Sequence, residues 1–258
     1  MKKIIGLFAV ILAVSIIGCK NANNNASENN PDGGSSYIGT KAPSEPKAVL
    51  DIVFNDDSAI PYSENLELTP KQKVNAMAII YKVDGSKSYG MGVTTRALSW
   101  CTTDANAYNI KIENIICTPI ETSGSYTFSG DTDGSDNFQE IASALGADDD
   151  TNIPEKYPVF TFAKNYGTDF CSGTAYETGW YIPSIAEMYD MLPYYNQIRA
   201  ALRKIDYNKR LSDICWSSSQ YDTTKKYAYL MYWTTGPFYP NDKALITKAG
   251  AYCVHVFN

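Results

Sequence analysis

Cysteine and histidine are the residues of this chain best suited to covalent or metal chemistry. The chain has six cysteines and a single histidine, His255. No two cysteines form a Cys-x-x-Cys pair, so the sequence offers no typical zinc site. His255 is not matched by a Gly-x-Ser-x-Gly nucleophile motif, and no phosphate-binding Gly-x-x-x-x-Gly-Lys loop occurs. The sequence therefore predicts neither a metal nor an organic cofactor, and it favours a protein without catalytic residues.

Cys19 differs from the other cysteines in what precedes it. Lys2 and Lys3 give a positive start, and residues 4–18 carry no charge over a stretch too short to span a bilayer. Residues 16–19, Ile-Ile-Gly-Cys, resemble the lipobox of bacterial lipoproteins, where the cysteine is acylated and becomes the mature N-terminus. We therefore expect residues 1–18 to be a signal peptide and Cys19 to carry lipid. The alternative is an ordinary signal peptide, or an anchor, with an incidental cysteine.

Charge and composition restrict the partners of this chain. The formal net charge is −6 at pH 7 and no run is rich in lysine or arginine, so electrostatics oppose binding to nucleic acid. No segment after residue 18 approaches the roughly 20 apolar residues of a spanning helix. Attachment to the membrane is thus expected through lipid alone. Lys20 after Cys19 favours sorting to the outer membrane, on its surface or its periplasmic face.

Five cysteines remain once Cys19 carries lipid, and disulfides persist outside the cytoplasm. An odd number permits at most two bridges, and the spacing alone does not choose among the possible connectivities. These cysteines are Cys101, Cys117, Cys171, Cys215 and Cys253.

The chain after Cys19 divides into a tether and one domain. Residues 19–47 are rich in Asn, Ser, Gly and Pro, which bury little apolar area, and they are expected to form a disordered tether. Residues 48–258 form the domain. Runs of apolar and β-branched residues in it predict strands over residues 49–54, 76–83, 110–116, 214–219, 227–233, 244–247 and 252–257.

Helices are expected between these two groups of strands. Residues 130–137 are acidic but lack the spacing of an EF-hand, and whether they bind calcium stays open. The simpler interpretation is that Asp136 and Gln139 form a capping box for the helix that follows. A second helix begins near residue 159 and is expected to end at Gly167.

The best-defined helix start is the Ser-x-x-Glu capping box of Ser184 and Glu187, directly after Pro183. Pro193 separates this helix from a further helical segment that ends near residue 205.

Two motifs flank this helix. Residues 179–187 read Gly-Trp-Tyr-Ile-Pro-Ser-Ile-Ala-Glu, and residues 215–220 read Cys-Trp-Ser-Ser-Ser-Gln. In this order they resemble the C-terminal region of bacterial domains with a C-type-lectin-like fold. The resemblance is to the branch that contains the formylglycine-generating enzyme, which is also called the sulfatase-modifying factor. Residues 130–160 are also similar to spirochaete surface lipoproteins built on this domain. The resemblance covers about residues 75–258.

The resemblance implies an α+β fold, in which two main helices pack on small antiparallel sheets and long irregular loops carry the ligand surface. Trp180 and Trp216 are expected to pack between helix and sheet. Together with Pro183, Ser184 and Glu187 they are interpreted as structural residues.

The enzyme of this branch uses a redox-active cysteine pair late in the chain, and Cys215 and Cys253 both lie in late predicted strands. Neither lies in the short cysteine motif of the enzyme. A disulfide that braces the sheet is therefore the simpler interpretation, and an oxidoreductase is the alternative. The Glu-Pro-Asn and Trp-Asn-Asp motifs of calcium-dependent lectins are absent.

Tyrosines are concentrated late in the chain, with 14 of the 20 at or after Tyr157, and recognition surfaces favour this residue. Residues 234–242 are expected to form a stiff, exposed loop that holds Phe238 and Tyr239. With Trp233 they form the predicted ligand-contact patch, although such rings also fill cores. We expect a membrane-anchored lipoprotein whose lectin-like domain recognises an unidentified protein or glycan at the cell surface, as an adhesin does. A structural envelope lipoprotein without a diffusible ligand is a further alternative.

Overall fold

The computed structural model of the chain describes residues 36–234, 238–245 and 249–257. The predicted signal peptide, Cys19 and the tether up to residue 35 therefore lie outside the described residues. From Tyr37 onward the chain belongs to one structural unit.

Short strands, most of them apolar on at least one side, make up the sheets. In chain order the strands of the described ranges are β1 (Asp51–Phe54), β2 (Ala59–Pro61), β3 (Ala76–Asp84), β4 (Lys87–Gly92), β5 (Arg96–Ala97), β6 (Cys117–Thr122), β7 (Ser125–Gly130), β8 (Ile214–Gln220), β9 (Tyr227–Tyr232), β10 (Phe238–Asp242), β11 (Gly250–Ala251) and β12 (Val254–Phe257). The predicted strands over residues 49–54, 76–83, 214–219, 227–233 and 252–257 are thus confirmed as β1, β3, β8, β9 and β12, with bounds that differ by up to two residues.

These strands form two five-stranded sheets and a separate hairpin. The first sheet has the order β12-β4-β3-β1-β2, the second has the order β10-β9-β8-β11-β5, and β6 pairs with β7 alone. All pairings in the first sheet are antiparallel. In the second sheet β11 runs parallel to β8, whereas the other pairs are antiparallel.

Helices cover the strands on two sides. They are α1 (Pro70–Asn75), α2 (Asn137–Leu145), α3 (Pro158–Phe170), α4 (Ile185–Met191) and α5 (Tyr195–Ile205). Successive side chains of a strand point to opposite faces. In β3, Ala78 and Ile80 join a core cluster with α2 and α3, while Ile79 and Tyr81 join a second cluster with α4 and α5. The domain is therefore α+β, with small, mainly antiparallel sheets and few helices.

The predicted strand over residues 110–116 is wrong. The segment has only an isolated bridge to a strand, between Ile116 and Gln220 of β8. The side chain of Gln220 binds the rest of it: its Oε1 accepts from the Ile112 nitrogen at 3.2 Å, and its Nε2 donates to the Ile110 carbonyl at 3.0 Å. A short 3₁₀ turn, Glu113–Ile115, follows.

The predicted strand over residues 244–247 is also wrong where the structure describes it. The Asp242 carboxylate accepts from the Ala244 nitrogen at 2.9 Å and the Asp242 carbonyl accepts from the Leu245 nitrogen at 2.9 Å, which makes a turn. Residues 246–248 lie outside the described ranges.

Two predicted helix signals are wrong in detail. Asp136 precedes α2 but makes no side-chain cap; its carbonyl accepts from the Gln139 nitrogen at 2.8 Å. Gly167 does not end α3, which continues to Phe170. Glycine occupies position 167 because the neighbouring chain packs closely against the helix there: a Cβ would lie 2.2 Å from the Glu177 carbonyl oxygen.

The predicted end of the tether at residue 47 is corrected as well. The Ala59 carbonyl accepts from the Lys41 nitrogen at 2.8 Å. Lys41 also forms an ion pair of 2.6 Å with Asp51, and the buried Lys47 forms one of 2.7 Å with Asp57. These contacts attach residues 37–47 to the domain.

Candidate functional site

The start of α4 organises the region between the two motifs. The Ser184 Oγ accepts from the Glu187 nitrogen at 3.2 Å, and the Glu187 carboxylate accepts from the Ser184 nitrogen at 2.8 Å. The predicted capping box is therefore confirmed. The same Ser184 hydroxyl donates to the Thr132 carbonyl at 2.7 Å, which ties the acidic segment to the helix start.

Glu187 is buried and satisfied by further donors. Its Oε2 also accepts from the Gly134 nitrogen at 2.9 Å, and its Oε1 accepts from the Tyr181 hydroxyl at 2.7 Å. Burial raises the pKa of the Glu187 carboxyl, while these hydrogen bonds oppose the rise. Gly134 approaches so closely that a Cβ would lie 2.5 Å from the Ile182 oxygen and the Ser184 nitrogen. Glu187 thus fixes the segment before α2 on the motif of residues 179–187.

The two motif tryptophans lie in the interior. Trp180 donates through Nε1 to the Tyr176 carbonyl at 2.7 Å, and Trp216 donates to the Leu98 carbonyl at 2.9 Å. Both side chains are buried. Each indole therefore combines apolar burial with a satisfied N–H, as buried tryptophans usually do.

The serines after Trp216 bind the neighbouring elements. Ser217 donates to the Tyr229 carbonyl at 3.0 Å. Ser218 accepts from the Asn137 amide at 2.7 Å, and Ser219 accepts from the Ile185 nitrogen at 3.0 Å. β8 is consequently joined to β9, α2 and α4 by three successive hydroxyls.

The three residues of the predicted contact patch do not form one patch. Trp233 is 4% exposed and stacks parallel to Tyr195, with ring centroids 5.3 Å apart. Phe238 and Tyr239 lie on the strand β10 and not on a loop, so their side chains point to opposite faces. Tyr239 is 51% exposed and packs its edge against Tyr232 at 5.0 Å. The prediction of a shared surface is wrong because a strand separates neighbouring side chains.

Phe238 instead joins an aromatic group that sequence reasoning missed. Its ring centroid lies 4.9 Å from that of Tyr126, 5.5 Å from Phe128 and 5.8 Å from Tyr189. All four rings are partly exposed. We call Tyr126, Phe128, Tyr189 and Phe238 the four-ring cluster.

Three elements build the four-ring cluster. Tyr126 and Phe128 are two residues apart on β7 and therefore share a face of the hairpin. Tyr189 comes from α4, and its hydroxyl accepts from the Tyr126 nitrogen at 3.2 Å. The alternating aromatic residues of β7 were visible in the sequence and indicate one aromatic face of a strand. Only the fold places this face against Tyr189 of α4 and Phe238 of β10.

The five described cysteines are all free and buried, so the predicted disulfides are absent among them. Cys101, Cys171 and Cys253 belong to the core cluster of α2 and α3, while Cys117 and Cys215 belong to that of α4 and α5. The expected bridge between Cys215 and Cys253 is therefore wrong, since the two thiols lie in different clusters. Burial raises the pKa of Cys215 to about 12 and that of Cys253 above its ordinary value.

The described ranges contain neither a metal-binding cluster nor a membrane-spanning helix. No group of three or more His, Cys, Asp and Glu side chains there could hold a metal ion. Within the same residues, no helix is long and apolar enough to cross a membrane.

The described residues define an α+β domain with an aromatic surface at the junction of its hairpin, α4 and the edge of the second sheet. No protein-family model and no curated protein matches the chain. Among solved structures, the chain is similar to a fimbrial protein from Bacteroides ovatus, with a TM-score of 0.54 and 13% sequence identity over 82% of this chain and 49% of that one. The chain thus spans about half the length of that protein. At this identity the likeness concerns the fold alone.

Proposed function

We propose that this protein is a lipid-anchored envelope lipoprotein whose domain, a member of the C-type-lectin-like class, binds a protein or glycan at the cell surface. The four-ring cluster is the observation that carries the binding role. Rings of Tyr and Phe supply a large contact area at low entropic cost, and here Tyr126, Phe128, Tyr189 and Phe238 meet at the surface. The fold likeness to a fimbrial protein is consistent with a role in surface adhesion.

The motifs support the lectin-like assignment. In sequence, the helix that starts at Ser184 lies between Trp180 and the Trp-Ser-Ser strand. Two hydrogen bonds join the helix start to that strand: Ser219 accepts from the Ile185 nitrogen at 3.0 Å, and the Pro183 carbonyl accepts from the Ser218 nitrogen at 2.8 Å.

The lipid anchor is tested by metabolic labelling with palmitate in a bacterial host that processes lipoproteins. The intact chain is expected to incorporate label and to fractionate with the outer membrane, and Cys19→Ser is expected to lose both properties. Label in the Cys19→Ser variant would disprove acylation at this residue. Protease added to intact cells then distinguishes the cell surface from the periplasmic face, because only a surface domain is cleaved.

The binding role is tested on arrays of glycans and extracellular-matrix proteins. We expect Tyr126→Ala combined with Phe238→Ala to reduce binding at least tenfold. Tyr239→Ala is the matched control, because this side chain is exposed on the opposite face of β10. Circular dichroism checks that each variant is folded. If a folded double variant binds as the wild type does, the four-ring cluster is not the contact surface.

We also propose that the domain is not an enzyme of the formylglycine-generating type. A thiol must ionise to react, and burial opposes ionisation of both Cys215 and Cys253. The test measures oxidation of a cysteine-containing peptide by the wild type and by Cys215→Ser combined with Cys253→Ser. Turnover that is lost in a folded double variant would establish the enzyme instead.

A further inference from the structure

A cleft between α1, α3 and the end of α5 lies apart from the four-ring cluster. It has a volume of about 610 Å³ and adjoins a second cavity of about 310 Å³. The two share Val93, Thr94, Asp206 and Lys209 in their walls. Cavities of roughly 300–1,000 Å³ are typical of small-molecule sites, so that the cleft is large enough for a ligand.

The cleft is apolar at its rim as well as at its floor. Among the described residues, seven large hydrophobic side chains are exposed, and three of them line this cleft: Val74 at 81%, Phe170 at 39% and Tyr207 at 75%. The floor includes the buried Met77 and Ile205. Exposed apolar side chains that gather around one concavity indicate a binding surface, whereas scattered ones need no explanation.

The charges around the cleft are opposite in sign to those of the whole protein. Lys73, Lys209 and Arg210 line the two cavities together with a single acidic residue, Asp206. The chain as a whole has a net charge of −6. A local excess of positive charge in an acidic protein attracts an anion to this cleft.

Lys209 is the cation best placed to receive an anionic group. Its Nζ donates to the Val93 carbonyl at 3.1 Å and to the Thr94 hydroxyl at 3.3 Å. An ammonium group has three N–H donors, so the third can bind an anionic ligand. No carboxylate of the described residues lies within ion-pair distance of it, although Asp206 is nearby. Burial lowers the pKa of Lys209, as expected for a half-buried ammonium group without a counter-ion.

The rim is also held in place. The Arg210 guanidinium donates to the Tyr207 carbonyl at 2.7 Å and lies 5.5 Å from the centroid of the Tyr207 ring. At the opposite rim, Arg96 lies 5.6 Å from the ring of Phe170. Cation–π contacts of this kind orient both rings before a ligand arrives.

We propose that this cleft binds an amphiphilic carboxylate, with its hydrocarbon body against Val74, Phe170 and Tyr207 and its carboxylate on Lys209. The N-terminal segment of the same chain is a poor occupant, since residues 20–35 contain no aromatic residue and, apart from Pro31, no aliphatic residue larger than alanine. The proposal is independent of the role of the four-ring cluster.

The test uses 11-(dansylamino)undecanoic acid and its methyl ester as a charged and an uncharged probe for the mature chain. The acid is expected to bind saturably with a blue-shifted emission, and the ester at least tenfold more weakly. Lys209→Met is expected to weaken binding of the acid at least tenfold, whereas Lys209→Arg retains most of it. Val74→Asp is expected to abolish binding of both probes, and the exposed Lys225→Met is the matched control.

Three results would overturn the proposal. The ester could bind as tightly as the acid, a folded Lys209→Met variant could retain full affinity for the acid, or the fluorescence could rise without saturation. If instead the probe does not bind and the chain forms a dimer that Val74→Asp disrupts, the cleft is an interface between two copies.

Discussion

Replacing the buried Lys243 by methionine is expected to stabilise the protein most at neutral pH and less as the pH rises. Lys243 is 0% exposed, donates to the Ala107 carbonyl at 2.9 Å and lies 4.7 Å from the Trp100 ring centroid. It has no ion-pair partner among the described residues. The neighbouring Asp242 carboxylate accepts from Tyr108 at 2.9 Å instead. Burial, opposed by the charges of Cys101 and Asp242, lowers the pKa of Lys243 from 10.5 to about 8.

The sign of the effect follows from proton binding. Between pH 8 and 10.5 the unfolded chain binds more protons at this lysine than the native protein does, so the contribution of Lys243 to stability rises with pH. The lowered pKa corresponds to a cost of about 3 kcal/mol at pH 7, which falls to about 2 kcal/mol at pH 9. Methionine has a similar length and no charge, but it leaves the Ala107 carbonyl without its donor, which costs about 1–3 kcal/mol.

The quantity to measure is the difference in free energy of unfolding between Lys243→Met and the wild type, from urea titrations at pH 7, 8 and 9. This difference is expected to fall by about 1 kcal/mol from pH 7 to pH 9. At a pH above the ordinary pKa of a thiol, the buried cysteines ionise when the protein unfolds. This contribution is the same in the wild type and in Lys243→Met, so it cancels in the difference between their free energies of unfolding. The exposed Lys225→Met is the control for loss of a surface charge. A difference that does not change with pH would refute the argument, because Lys243 would then titrate as it does in water.

Three further predictions concern the helix cap and the cysteines. Ser184→Ala removes the cap and the bond to Thr132, and urea titration is expected to show a loss of about 1–2 kcal/mol; an unchanged midpoint would contradict the role of the cap. Gly134→Ala places a Cβ against backbone atoms, and urea titration is expected to show a loss of about 1–3 kcal/mol. Ellman's reagent is expected to find no reactive thiol in the native mature protein and five after denaturation without reductant; three would indicate a disulfide.

The predictions that succeeded depend on residues close together in the chain. The capping box of Ser184 and Glu187 needs only a turn of helix, and the continuous apolar run of β3 needs only an extended backbone that is buried on both faces. The predictions that failed depend on partners far along the chain. Residues 110–116 have the composition of a strand, but the Gln220 side chain satisfies their backbone. The packing around Gly167 likewise depends on residue 177.

The candidate site was predicted only in part for the same reason. Phe238 was identified as a contact residue, but its neighbours Tyr126, Phe128 and Tyr189 are separated from it by 49 to 112 positions in the sequence. Trp233 and Tyr239 flank it in sequence but not in space. Residues adjacent in the sequence were predicted to share a surface, but β10 directs adjacent side chains to opposite faces.

By itself, the sequence determined local features of the described domain: the capped start of α4 and the apolar strands of both sheets. These follow from short-range sterics, hydrogen bonding and hydrophobic periodicity. The tertiary structure alone decided that four rings meet at the surface, that Cys215 and Cys253 lie in different core clusters, and that Lys243 is buried without a counter-ion. Such features arise when distant segments pack together to remove apolar surface from water, and no neighbouring residue in the chain specifies which segments will meet.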